Sequence, residues 1–229
     1  MAGTWIAVGA AGALLALAVA VSVRRRARGR RAGADAAVIT GSASSTSRDD
    51  LTGAVRSVQT ADLFLAADTL EQIWSPEYLE RLARAYWRFL TRVTLGLVHV
   101  YYGEDERSIV LLARPLKLLT FRAPEYEVEP LRGHVRWGIA RGLLVARRGR
   151  NGGGYLQIEV RRRADGEAGR AHLHVEIEVA NFYPAIASGL GRRFYDITQS
   201  RIHVVVTHGF LRSLRRLDLA ESRVKRLAP

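Results

Sequence analysis

The chain of 229 residues contains no cysteine, which excludes disulfides, thiolate nucleophiles and Cys-ligated metals. Lysine is almost missing: Lys117 and Lys225 are the only two among 35 basic residues, so the positive charge is carried by arginine. No Gly-x-Ser-x-Gly turn occurs, which removes the nucleophile-elbow hydrolases. Gly152-Gly153-Gly154 lacks the Gly-Lys-Ser/Thr ending of a phosphate loop, and Gly189-x-Gly191 lacks the third glycine of a dinucleotide fingerprint. These glycines read instead as a hairpin tip and a helix entry. Beyond residue 23 every apolar stretch is soon interrupted by charge, well short of the ~20 residues a second membrane span requires.

What the sequence does contain begins with Trp5 to Val23, an unbroken uncharged run followed by Arg24, Arg25, Arg26, Arg28, Arg30 and Arg31. About twenty apolar residues cross a hydrocarbon core of ~30 Å. No basic residue precedes the run, unlike a secretory signal peptide. A cleaved export signal is the competing reading, because the run is rich in Ala and Gly. The arginines on the far side place residues 24 to 229 in the cytoplasm and the N-terminus outside by the positive-inside rule. The expectation is a single-pass protein of the cell membrane, with residues 1–23 as anchor and the six arginines on anionic headgroups.

The net charge is +13, and residues 1 to 50 hold seven Arg against three Asp, so the remainder is still basic. Beside a membrane the first counter-charge is the anionic lipid surface, at roughly 1 kcal/mol per nearby cation. Nucleic acid is the weaker reading of the same charge. Residues 32 to 50 are small and polar without apolar periodicity, so 24–50 reads as a basic juxtamembrane segment and flexible linker. A folded domain is expected over 51–217, with 218–229 as a tail.

Within that domain Val55 to Leu65 reads as one strand and residues 66 to 74 as a short helix. Ser75-Pro76-Glu77 supplies an N-cap, a first-turn proline and an acid at the positive dipole end. The spacing of Leu79, Leu82, Ala83, Tyr86, Phe89 and Leu90 predicts a helix over 76 to 92 with one apolar face. Arg81, Arg84, Arg88 and Arg92 line another face, with Trp87 near them, as an interfacial helix would. Strands are expected at 93 to 102, 108 to 113, 116 to 122, 133 to 146, 154 to 163 and 171 to 181. Their short dividers favour antiparallel pairing. Leu190, Phe194, Ile197, Val204, Val205, His208 and Leu211 trace a stripe that predicts one long helix across 188 to 217.

This order resembles the START-like superfamily (SRPBCC, helix-grip proteins), which includes polyketide cyclases and lipid-transfer domains. The phrases that carry the resemblance are ADTLEQIWSPEYLERL at 67–82, GHVRWGIARGLLVARRGRNGGGYLQIEVRRR at 133–163 and ITQSRIHVVVTHGFLRSL at 197–214. The resemblance implies an α+β fold, a curved antiparallel β-sheet wrapped on a long C-terminal helix with an apolar cavity between them, here preceded by the transmembrane helix. The first strand departs from it, since Arg56, Gln59 and Asp62 make it poorly apolar.

Candidate site residues come from that arrangement. Trp137, Tyr155, Phe182, Phe194 and His203 are the expected lining of a site for a lipid or other hydrophobic small molecule. His203 or Asp196 is the acid or base if the protein is instead a cyclase-like enzyme. His172 and His174 share a strand face with Glu176 and Glu178, but no third ligand is nominated, so no metal and no cofactor is assigned. A scaffold or interaction module that uses no cavity is the remaining alternative.

Overall fold

The computed structural model describes residues 37–112, 116–163 and 169–185 together with Phe210. The N-terminal span, Arg24 to Arg31, the stripe over 188 to 217 apart from Phe210, and the tail lie outside the described residues. Among the described residues no helix is long and apolar enough to cross a membrane.

Among the described residues up to 185, nine strands and two α-helices succeed one another as β1 (Ala37–Arg48), β2 (Val55–Ala66), α1 (Ala67–Ile73), α2 (Pro76–Val93), β3 (Val98–Tyr102), β4 (Glu106–Leu111), β5 (Lys117–Arg122), β6 (Glu125–Val128), β7 (Arg132–Arg141), β8 (Tyr155–Arg163) and β9 (Arg170–Phe182). They form one curved antiparallel sheet in the order β1-β2-β9-β8-β7-β5-β4-β3, with β6 also paired to β7. The strand after which the helices depart, β2, thus lies beside the last strand, β9.

Two strands escape the sequence reading. The expected flexible linker is β1 over Ala37–Arg48, paired with β2 from Ala37 opposite Leu65 to Arg48 opposite Val55. Its side chains are small and mostly exposed, so the backbone ladder holds it rather than burial, and no apolar alternation announces it. Residues 37–48 of the expected linker are therefore strand. The second is β6, four residues laid against Val135 and its neighbours.

The poorly apolar first strand resolves by parity. Along β2, Val55, Ser57, Gln59, Ala61, Leu63 and Leu65 are buried and alternate with exposed or half-buried neighbours. Arg56 and Asp62 point to the other face, where Arg56 Nε donates to Glu178 at 2.6 Å. A strand with side chains alternating at period two tolerates such charges on one face alone.

Helix α2 begins where expected. Ser75 accepts a bond from the Tyr78 amide, Pro76 occupies the first turn and Glu77 faces the dipole. Its core face holds Leu79, Ala83, Tyr86, Trp87 and Phe89. Trp87 is therefore a core residue, not a companion of the arginine stripe. The spacing Leu79, Ala83, Trp87 carries that signal at four-residue steps.

The end of β7 depends on Gly142, whose φ is +150°. A Cβ there would collide with the Leu118 carbonyl. Gly142→Ala is expected to cost at least about 1 kcal/mol, read as a lower denaturant midpoint at unchanged slope. An unchanged midpoint would mean that this turn relaxes freely.

Candidate functional site

The inner face of the sheet, the side on which α2 packs, is apolar along its central strands, with the buried polar residues Ser57 and Gln59 on β2. A cross-strand row runs Gln59, Ile177, Ile158, Val135 from β2 through β9 and β8 to β7. The three aliphatic members are fully buried, and so is Gln59. Its Nε2 donates to Ser57 Oγ at 2.8 Å, and Ser57 in turn contacts Thr46 Oγ1 of β1 at 2.9 Å. That network fixes the amide and leaves Gln59 Oε1 buried with no hydrogen-bond partner among the described residues.

Over the other side of the same floor sits an aromatic layer. Trp87 meets Trp137 edge-on at 5.2 Å between ring centroids and Phe121 at 5.5 Å. Phe210, helical and fully buried, meets Tyr86 at 5.2 Å and Phe89 at 6.2 Å. Trp87 is 2% exposed and Trp137 1%. Trp87 Nε1 is a second buried polar atom with no hydrogen-bond partner among the described residues. Leaving a buried donor or acceptor unpaired costs roughly 1–3 kcal/mol, and these two belong to residues whose burial places them in the apolar interior. Trp137 and Gln59 stand three strands apart, about 14 Å at ordinary strand spacing.

The sequence-derived candidates divide. Trp137 is in this interior. Phe182 is half-buried at the end of β9, opposite Val55, and packs against the core. Tyr155 lies on the outer face, since it pairs in register with Gly138, the neighbour of the inward Trp137. There its hydroxyl donates to Glu178 Oε2 at 2.9 Å and Arg136 stacks on its ring at 4.3 Å. Burial and the Glu178 hydrogen bond push its phenol above the usual value. Tyr155 thus does not join Trp137. Phe194, Asp196 and His203 lie outside the described residues.

Two interior residues escape the sequence reading. Gln59 shares the two-residue alternation of Val55, Ala61 and Leu63, and Trp87 shares the four-residue ladder of α2, so periodicity alone places both inside.

The outer face holds the histidines considered for metal binding. His174 Nδ1 lies 2.8 Å and His172 Nε2 3.0 Å from the same Asp62 oxygen. Partial burial raises the Asp62 carboxyl, but these hydrogen bonds and the charge of both rings outweigh it and hold Asp62 below its ordinary value. Both ring nitrogens facing Asp62 are spent on one acceptor, a clasp between β2 and β9. Among the described residues no group of three or more His, Asp or Glu is placed to hold a metal.

No family model matches the chain, and no curated protein matches it. Similar solved structures include CalU16 from Micromonospora echinospora, 12% identical over 84% of this chain and 81% of that one with a TM-score of 0.30. Human STARD10 is 9% identical over 90% and 89%, with a TM-score of 0.27. An uncharacterized protein from Rhizobium leguminosarum is 12% identical over 67% and 98%, with a TM-score of 0.24. The class defined by the chain's own topology is an α+β protein built on one curved antiparallel sheet with few helices.

Proposed function

We propose that the chain holds an elongated hydrophobic molecule against the inner face of the sheet, beneath α2 and the helical element that carries Phe210. The observation that supports this is the pair of buried polar atoms, Gln59 Oε1 and Trp87 Nε1, with no hydrogen-bond partner among the described residues. Gln59 Oε1 would accept from a ligand hydroxyl or amide and Trp87 Nε1 would donate to a ligand carbonyl, with Ile177, Ile158, Val135 and Leu156 forming the apolar floor between. Small-molecule sites have this constitution, an apolar lining with a few placed polar groups. The long helix over 188 to 217 closes the site in this reading. Residues 5 to 23 tether the chain to the cell membrane as a single span, with Arg24 to Arg31 on the cytoplasmic headgroups.

Organic extracts of the purified full chain, analysed by mass spectrometry, are expected to contain a hydrophobic molecule in stoichiometric amount. Gln59→Leu removes the acceptor while keeping the volume, and is expected to lower occupancy by about tenfold, the equivalent of one hydrogen bond of ~1.4 kcal/mol. An empty extract, or equal occupancy in both proteins, would defeat the reading. The second reading is an interaction module with a solid interior, favoured by the edge-on packing of Trp87, Trp137, Tyr86 and Phe210. An empty extract would support it.

A further inference from the structure

Because the strands are antiparallel, each turn belongs to one of two ends of the sheet, and the two ends differ in chemistry. One end gathers the α2–β3 turn (94–97), Leu112 and Leu116 on either side of the β4–β5 connection, and residues 142–154 between β7 and β8. These described segments contain Arg147, Arg148 and Arg150 and no acid, and Lys117 opens β5 beside them. The opposite end gathers residues 67–75, 103–105 and 129–131. Those segments contain the five carboxylates Asp68, Glu71, Glu104, Asp105 and Glu129 and no cation, with Arg132 next in sequence and Arg162 of β8 paired with Glu71.

The basic end also displays leucine. Leu95, Leu112, Leu116 and Leu143 are 40–57% exposed. Backbone bonds link their turns in sequence, from the Leu112 amide to the Leu97 carbonyl at 2.7 Å, from the Leu111 amide to the Leu116 carbonyl at 3.0 Å, and from the Leu143 amide to the Lys117 carbonyl at 3.0 Å. Neighbouring strands are ~4.8 Å apart, so the four leucines sit in turns that follow one another along β3, β4, β5 and β7. Leu95 and Leu112 hold left-handed backbone, with φ of 55° and 59°. Side chains other than Gly, Asn and Asp adopt that region at a cost.

Three further facts bear on the charge. Lys117 turns toward Glu106 at 3.5 Å, Arg148 stacks on Tyr183 at 5.1 Å, and Arg147, Arg148 and Arg150 are all exposed. The β1–β2 turn reaches the same end with Leu51 and with Asp49 and Asp50, and Asp49 is occupied by the Leu51 and Thr52 amides.

We infer that this end of the sheet docks on an anionic phospholipid surface. The leucine row enters the boundary between headgroups and acyl chains, Arg147 and Arg150 meet lipid phosphates, and the acidic end is held away by repulsion. Paired apolar and cationic side chains on one rim fit a lipid surface, whereas a nucleic acid would leave the leucines in water. The inference deepens the membrane part of the proposed function and is independent of the interior ligand. It is sterically open in the tethered chain, because the thirteen residues 24 to 36 reach about 45 Å when extended, more than the ~40 Å length of β1.

The chain has no cysteine, so single labels are unambiguous. Full-length Leu116→Cys, Leu143→Cys and, at the acidic end, Leu131→Cys would each carry an environment-sensitive fluorophore and be placed in phosphatidylcholine vesicles containing nitroxide lipid, with and without phosphatidylglycerol. Quenching at 116 and 143 is expected to exceed that at 131 by at least about twofold when phosphatidylglycerol is present, and to weaken with added salt. Arg147→Glu with Arg150→Glu, both at exposed positions, is expected to abolish the difference while leaving the thermal melt unchanged. Equal quenching at all three positions, or quenching indifferent to phosphatidylglycerol, would overturn the inference. So would label emission that shifts with protein concentration in detergent, which would assign the surface to a second copy. Docking without an extracted ligand removes only the interior reading, and an extracted ligand without docking removes only this one.

Discussion

Trp87→Ala is expected to destabilise the protein by about 3–5 kcal/mol, the usual cost of deleting a buried tryptophan. The side chain is 2% exposed and bridges α2 to two strands through Trp137 and Phe121. Its loss opens a cavity between the helix and the sheet, and surrounding rings fixed by their own neighbours refill it only in part. Trp87→Phe separates packing from the polar atom. It keeps an aromatic ring while deleting an N–H that has no partner among the described residues, so the expected loss falls to about 1 kcal/mol. Denaturant unfolding of both variants checks this. Equal losses would mean that Nε1 makes a bond worth as much as the missing ring volume.

Arg132→Ala is expected to cost about 1–2 kcal/mol at neutral pH, less than for a fully buried pair because the Arg132 side chain is 39% exposed and Arg161 stays on Glu159. Glu159 is 3% exposed although it lies on the outer face. Arg132 Nη2 donates to its Oε2 at 3.0 Å, Gln157 Nε2 donates at 3.1 Å, and Arg161 pairs with the other oxygen. Burial alone would raise the Glu159 carboxyl, but the Arg132 hydrogen bond and the charges of Arg161 and Arg132 bring it below its ordinary value. A depressed folded-state value means that the stabilisation is present above the unfolded carboxyl value, about 4.3, and is lost as pH falls through the folded one. The deficit of Arg132→Ala should therefore be full at pH 7 and shrink in acid, where Glu159 is protonated in both proteins. A deficit of the same size at both pH values would show that Arg132 acts through its stem packing alone.

Legibility in the sequence tracks how each element is stabilised. Helix α2 and strand β9 are plain because burial on one face imposes a period of 3.6 or 2 on the residues. Strand β1 is not, because Ser42, Ser44 and Thr46 bury almost nothing and the pairing with β2 is made by backbone groups that every sequence carries. Tyr155 reads as interior when aromatic content is taken without parity. One residue of register sends it to the face of Arg136 and Glu178. Gln59 looks like a defect in a weak strand, yet its position in the alternation puts it inside. The separation of leucine and arginine from carboxylate depends on knowing which turns share an end. That assignment needs the pairing order, because β2 and β3 run in the same direction across the two helices and β6 continues the direction of β5 along β7. Composition registers only the net positive charge.

The central claim is that the interior floor receives a polar-ended hydrophobic molecule at Gln59 and Trp87. Its most direct test is the indole N–H spectrum of the ¹⁵N-labelled full chain during titration with methyl ω-hydroxydodecanoate, whose length is about the 14 Å between the two sides of the floor. Trp74 serves as the internal reference, since its Nε1 donates to the Glu129 carbonyl at 3.1 Å. Saturable movement of the Trp87 signal with the Trp74 signal still, abolished in Gln59→Leu, is the expected result. A Trp87 signal that stays in place while the compound is in large excess would contradict the claim.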